Sequence, residues 1–157
     1  MKTFAALLSL SLLALTPLSA AAQTPDPAVM APVNQLADGF AHNDGAKIFG
    51  AHAPSPTIID EFAPYFWTGP AAVQGWGGDF AKFSAGVGVT GGSVALAAPT
   101  TFEVSGDHAY VVCPSVITFT TKTGQMKNAG SFTFALVKMG DAWKVQSWAY
   151  ARGVALP

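Results

Sequence analysis

From Ser93 onward the chain alternates apolar and polar side chains between short turns, and that pattern limits the fold more than any other feature. Phe132, Phe134 and Leu136 alternate with Ser131, Thr133 and Ala135. The segments "SGDH" at 105–108, "KTGQ" at 122–125 and "MGD" at 139–141 supply residues suited to tight turns. Period-two alternation broken by short turns predicts an antiparallel meander with one face covered. Four long strands are expected: 93–104, 109–121 with a bend at Pro114, 125–139, and a last one containing "AWKVQSWAYAR".

What covers that face comes earlier in the chain. Val33, Leu36, Ala37, Phe40 and Ala41 fall on one helical stripe, and Pro32 suits a first turn, where its missing N–H is harmless. "HNDG" at 42–45 ends this helix, and Asn43 or Asp44 caps a second one through Ile48 and Phe49. "APSP" at 53–56 breaks the chain before a strand, "TIIDEF", and an aromatic loop. Thr68-Gly69-Pro70 opens a third helix carrying Val73, Trp76, Phe80 and Phe83. Gly75, Gly77 and Gly78 lie inside it, each disfavoured by about 1 kcal/mol relative to alanine. They mark either an irregular helix or a place where something approaches closely. Helices, a strand, a helix and then a meander define an α+β domain.

The first 22 residues stand apart. Lys2, an apolar run from Phe4 to Leu15, Pro17 and the small pair Ala20 and Ala22 form a secretory signal peptide, with cleavage expected before Gln23. The apolar run is too short to span a membrane. The expected mature chain, 23–157, is therefore one domain that is secreted or periplasmic, with no membrane span of its own. With Lys2 removed, seven Lys and Arg face nine Asp and Glu, and no basic run marks a nucleic-acid surface. Cys113 is the single cysteine, so no internal disulfide forms, and in "YVVCPSV" it reads as a buried apolar thiol. Only 11% of residues are charged, which suits an oligomer interface, an apolar cavity or both.

The stretch "IIDEFAPYFWTG" at 58–69 carries the sharpest functional signal. Asp60 sits between Ile58 and Phe62 on one strand face, while Glu61 points the other way and reads as a solvated surface charge. Asp60 is either a pocket acid, partly desolvated with its pKa raised unless loop donors oppose it, or a structural acid that caps or hydrogen-bonds the loop after it. No metal-binding spacing links His42, His52 and His108, and there is no nucleotide-binding fingerprint, so neither metal nor cofactor is expected. His42 is an outside candidate for a proton shuttle. Asp44 reads as a helix cap.

"HNDGAKIF", then Asp60 in "PTIIDEFAP", then Gly69 in "WTGPAAV", and finally "WKVQSWAY" occur in an order and spacing that resemble the NTF2-like superfamily. The likeness is to its SnoaL-like and ketosteroid-isomerase-like branch and runs from Val33 to Arg152. The resemblance implies a cone in which a curved antiparallel sheet, covered by N-terminal helices, encloses a pocket with Asp60 near its mouth. It also implies a homodimer. Asp60 would be the candidate base, and Trp67, Trp76, Phe80 and Thr133 would meet the ligand. The oxyanion partners of a ketosteroid isomerase are missing: Leu36 stands where the phenol would fall, and 125–139 contains no carboxylate. Two readings follow. One is an exported pocket protein that binds a small apolar, carbonyl-bearing or cyclic molecule, with weak isomerase- or cyclase-like proton transfer. The other is a non-catalytic periplasmic association module whose cavity is filled by its own side chains. An open cavity around a desolvated Asp60 favours the first; a collapsed one favours the second.

Overall fold

The computed structural model describes residues 24–156. The expected signal peptide and its cleavage site lie outside the described residues. Three helices, α1 (Pro27–His42), α2 (Gly45–Ala51) and α3 (Ala72–Gly86), pack against seven strands. These are β1 (His52–Ile59), β2 (Phe66–Thr68), β3 (Val89–Leu96), β4 (Thr101–Ser105), β5 (His108–Thr121), β6 (Gly124–Met139) and β7 (Ala142–Leu156). They form one sheet in the order β2-β1-β7-β6-β5-β3, with β4 also on β5. The α+β layout and the helix-covered, curled sheet are as the pattern predicts.

The first helix starts five residues earlier than the Pro32 signal suggests. Asp26 caps it, accepting from Ala28 N–H at 2.8 Å, and Pro27 takes the first turn. Asp-Pro is the stronger start signal, because it joins a capping oxygen to a preset backbone angle. Pro32 lies within the helix, buried beside Val29, Val33 and Leu36. Asn43 ends the helix in the left-handed region at φ 54°, and Asp44 caps α2 through Lys47 N–H at 3.1 Å.

"APSP" does not break the chain but lies inside β1. This strand runs parallel to β7, and the register slips between His52 and Thr57. The prolines occupy that irregular stretch, where ladder donors are not required, and Gln146 Nε2 instead donates to the Ser55 carbonyl at 3.1 Å. The sheet is consequently mixed rather than wholly antiparallel. Part of the expected aromatic loop is strand too: Trp67 pairs with Ile58 in β2.

The strand expected over 93–104 is two strands. Both β3 and β4 pair with β5 along one edge, end to end, and Pro114 faces the gap between them. Ala97 N–H still donates to the Pro114 carbonyl at 2.8 Å, and Thr100 N–H to that of Val112 at 2.9 Å. Pro99 lies between these two contacts. A proline on β5 and another beside it remove the donors that one continuous ladder would need.

The core lies between the helices and the concave sheet face. Val33, Ile58, Val111, Cys113 and Val145 are wholly buried, and Phe132, Phe134 and Leu136 point inward in the predicted alternation. Phe132 stacks on Phe134, with ring centres 5.8 Å apart.

Candidate functional site

The cone holds an open cavity of about 680 Å³ between α3, the end of α1 and the concave face. Asp60 is on its wall, one residue past the end of β1. Asp60 N–H bonds to the Tyr65 carbonyl at 3.2 Å, closing the loop that turns the carboxyl inward. Its Oδ1 accepts from Glu61 N–H and its Oδ2 from Trp76 Nε1–H, both at 2.8 Å. Burial pushes the Asp60 carboxyl up to about 6. The two donors oppose that rise and the nearby Glu61 charge adds to it.

Trp76 is fixed from several sides. It stacks on Phe80 at 5.3 Å and meets the edge of Trp148 at 5.5 Å. Trp148 in turn donates from Nε1 to His52 Nε2 at 3.0 Å. His52 lies 2.7 Å from the Ile48 carbonyl through Nδ1. An indole nitrogen only donates, so His52 Nε2 is the acceptor, Nδ1 carries the proton, and the ring is neutral. Burial lowers the pKa of His52 accordingly. A chain of contacts therefore runs from α2 through His52, Trp148 and Trp76 to Asp60.

Three of the expected site residues come together: Asp60, Trp76 and Phe80 all line the cavity. Trp67 does not. It is buried against Phe62 at 5.2 Å, its Nε1 donates to Asp79 at 3.1 Å, and a Cβ on Gly75 would lie 3.2 Å from its ring. Trp67 thus holds α3 against the loop, and Gly75 gives it room. Thr133 is absent from the cavity as well. It lines a shallow hollow on the convex sheet face with Thr57, Ile59 and Tyr110, because its neighbours Phe132 and Phe134 take the inward positions. Glu61 is not a solvated charge. It lines the cavity with its side chain 15% exposed and pairs with Arg152 Nε across the rim. His42 is at the cavity mouth, 69% exposed and bonded to Asp38 on its own helix. Cys113 is buried in the core, where desolvation raises the pKa of its thiol. Among the described residues no group of three His, Cys, Asp or Glu is placed to hold a metal. Among them, too, no helix is long and apolar enough to cross a membrane.

Tyr150 is a further lining residue that sequence reasoning missed. It comes from β7, opposite Phe132, and burial together with the Glu61 charge pushes its phenol up to about 12. A Cβ on Gly130 would lie 2.7 Å from the Tyr150 hydroxyl, so the ring position depends on that glycine. The signal was present in "SWAYAR", where Trp148 and Tyr150 are two apart and share a face.

A curled sheet roofed by helices around an apolar cavity, with a carboxylate at its wall, defines an NTF2-like cone. The chain belongs to the SnoaL-like domain family, whose pattern matches residues 29–150. Similar solved structures share the fold at low identity. Hexachlorocyclohexane dehydrochlorinase LinA type 3 of Novosphingobium barchaimii has a TM-score of 0.68 at 12% identity, covering 83% of this chain and 87% of its own. A variant of Rv3472 from Mycobacterium tuberculosis, of unknown function, has a TM-score of 0.63 at 19% identity over 80% and 74%. An NTF2-like protein of Pseudomonas putida, also of unknown function, has 0.62 at 14% over 78% and 82%. No curated protein matches the chain in sequence.

Proposed function

We propose that this protein binds a small, largely apolar molecule in its cone, with Asp60 as the polar group that meets it. The observation carrying this reading is a partly desolvated carboxylate on the wall of an open, aromatic-lined cavity. Pockets of this kind are apolar with few placed polar groups. That one neighbour in fold is a hexachlorocyclohexane dehydrochlorinase supports an apolar ring compound as occupant. On a carbonyl-bearing ligand, Asp60 can remove a proton from the carbon beside the carbonyl, because a base with a pKa near the working pH is both ionised and basic. Tyr150 is a phenol facing the same space. The rate is modest, since no strong acid is paired with it to hold an enolate oxygen. A thermal-shift screen of cyclic ketones tests the reading, with Asp60→Asn as the control. Ligands that stabilise both proteins while only the wild type exchanges their α-protons for deuterium support it. A screen in which nothing stabilises the protein would count against the pocket.

We also propose export, with the mature chain beginning at Gln23, and self-association through the convex sheet face. Ile59 and Tyr110 are each about half exposed around the hollow that contains Thr133. Intact mass of the product from the native host tests the first proposal, and light scattering at micromolar concentration tests the second.

A further inference from the structure

Among the described residues Asp60 lacks a counter-ion. Its oxygens take two neutral N–H groups, and none of the ion pairs among the described residues includes it. The other acids near the site are compensated: Glu61 by Arg152 and Asp79 by Lys82. The charged and titratable groups around Asp60 are few. Its own loop gives Glu61, β7 gives Tyr150 and Arg152, and the end of α1 gives His42 at the mouth. The cavity-facing residues of α3, β3, β5 and β6 carry no charge. Trp76 touches the carboxylate, and the rings of Phe40, Phe62, Phe80 and Trp148 line the same cavity.

This arrangement selects by sign of charge. An anionic ligand would face two carboxylates, and recruiting Arg152 to it would strand Glu61, which is largely buried. A neutral ligand would displace water from Asp60 and leave its charge against hydrocarbon. A cation supplies what is missing, and aromatic faces attract it further. We propose that the cone takes an aryl or alicyclic amine, with the protonated nitrogen on the Asp60 carboxylate and the hydrocarbon body among the rings. This rests on the pocket reading above, keeping its cavity and its polar group but replacing the neutral carbonyl ligand with a cation.

Three probes of one shape test it by calorimetry on the folded protein: naphthylmethylamine, naphthylmethanol and naphthoate. Near neutral pH the amine should bind about tenfold or more tighter than the alcohol, and naphthoate most weakly. The amine's advantage should shrink as pH falls through about 6, because Asp60 then gains a proton and loses its charge. Asp60→Asn should bring amine and alcohol within roughly twofold of each other, chiefly by weakening the amine. Should that variant fail to fold, the wild-type pH series decides between the same outcomes. An alcohol that matches the amine near neutral pH, or an amine preference indifferent to pH, overturns the amine assignment while the pocket stands. Failure of all three probes to bind overturns both.

Discussion

Replacing Asp60 with asparagine should change the stability of this protein with opposite sign at the two ends of a narrow pH range. The Asp60 carboxyl is raised from 3.8 to about 6 in the fold. Below 3.8 the acid is protonated in both folded and unfolded chains and favours neither. Between 3.8 and about 6 the unfolded chain gives up its proton while the folded one retains it, so stability falls as pH rises. Above about 6 the full penalty applies, about 3 kcal/mol for a shift of this size. Asparagine removes the charge but can accept from only one of the two donors well, since its amide nitrogen opposes the other. Losing the Glu61 or the Trp76 hydrogen bond costs about 1–2 kcal/mol. The variant should then be about 1–2 kcal/mol more stable than wild type near pH 7.5. Near pH 4 most of that penalty has gone, so the lost hydrogen bond should leave the variant about 0.5–1.5 kcal/mol less stable than wild type. His52 titrates in both proteins and cancels from the difference. Urea denaturation at several pH values, followed by tryptophan fluorescence, measures that difference directly. A variant destabilised by the same amount across the range would refute the reasoning. Asp60 would then be a structural acid that holds its loop, not a strained group at a pocket wall.

The other predictions concern the support around this site. His52→Leu leaves the Trp148 indole without its acceptor and removes the contact with the Ile48 carbonyl, and should lower stability by about 1–3 kcal/mol, whereas His52→Gln, which offers both a donor and an acceptor, should recover most of it in urea melts. The stability that neutral His52 contributes is present above its unfolded pKa of 6.5 and is lost as pH falls through its lower folded value, so the glutamine variant should lack that acid-side loss. Gly130→Ala places a methyl 2.7 Å from both the Tyr150 hydroxyl and the Ala151 carbonyl; it should destabilise by about 1–3 kcal/mol and bring the Tyr150 phenol back toward 10 in an ultraviolet titration. Thr133→Val should leave ligand affinity within roughly twofold by calorimetry, because Thr133 is on the convex face.

Much of this molecule was legible because burial writes a period into a strand or helix. Phe132, Phe134 and Leu136 announced the inner face of β6, and the same alternation, followed through, places Thr133 outside. Asp60 was legible for a related reason: an acid flanked by Ile58 and Phe62 has few ways to stay wet. What sequence could not supply were contacts between distant segments. Nothing near Glu61 hints at Arg152, and nothing near His52 hints at Trp148, since each pair meets only after β1 lies down beside β7. The division of β3 from β4 was hidden for another reason. Pro99 and Pro114 act together across an edge, and a pattern read along one strand cannot register a donor missing from its neighbour.

That division also makes the cone's walls unequal. On the Asp60 side the polar and indole groups are tied to one another: Trp76 to the carboxylate, Trp148 to His52, Glu61 to Arg152. The opposite side is β3, which among the described residues has β5 as its single ladder partner and is separated from β4 by the proline gap. It presents Gly91 and Gly92 to the cavity and buries little of itself. Segments with few buried contacts open first. If the cone binds ligands as proposed, guests of different girth would be accommodated by the yielding wall, while the tied wall would keep its polar arrangement fixed. Such a vessel tolerates variety in outline and enforces uniformity in how the occupant's polar end is held.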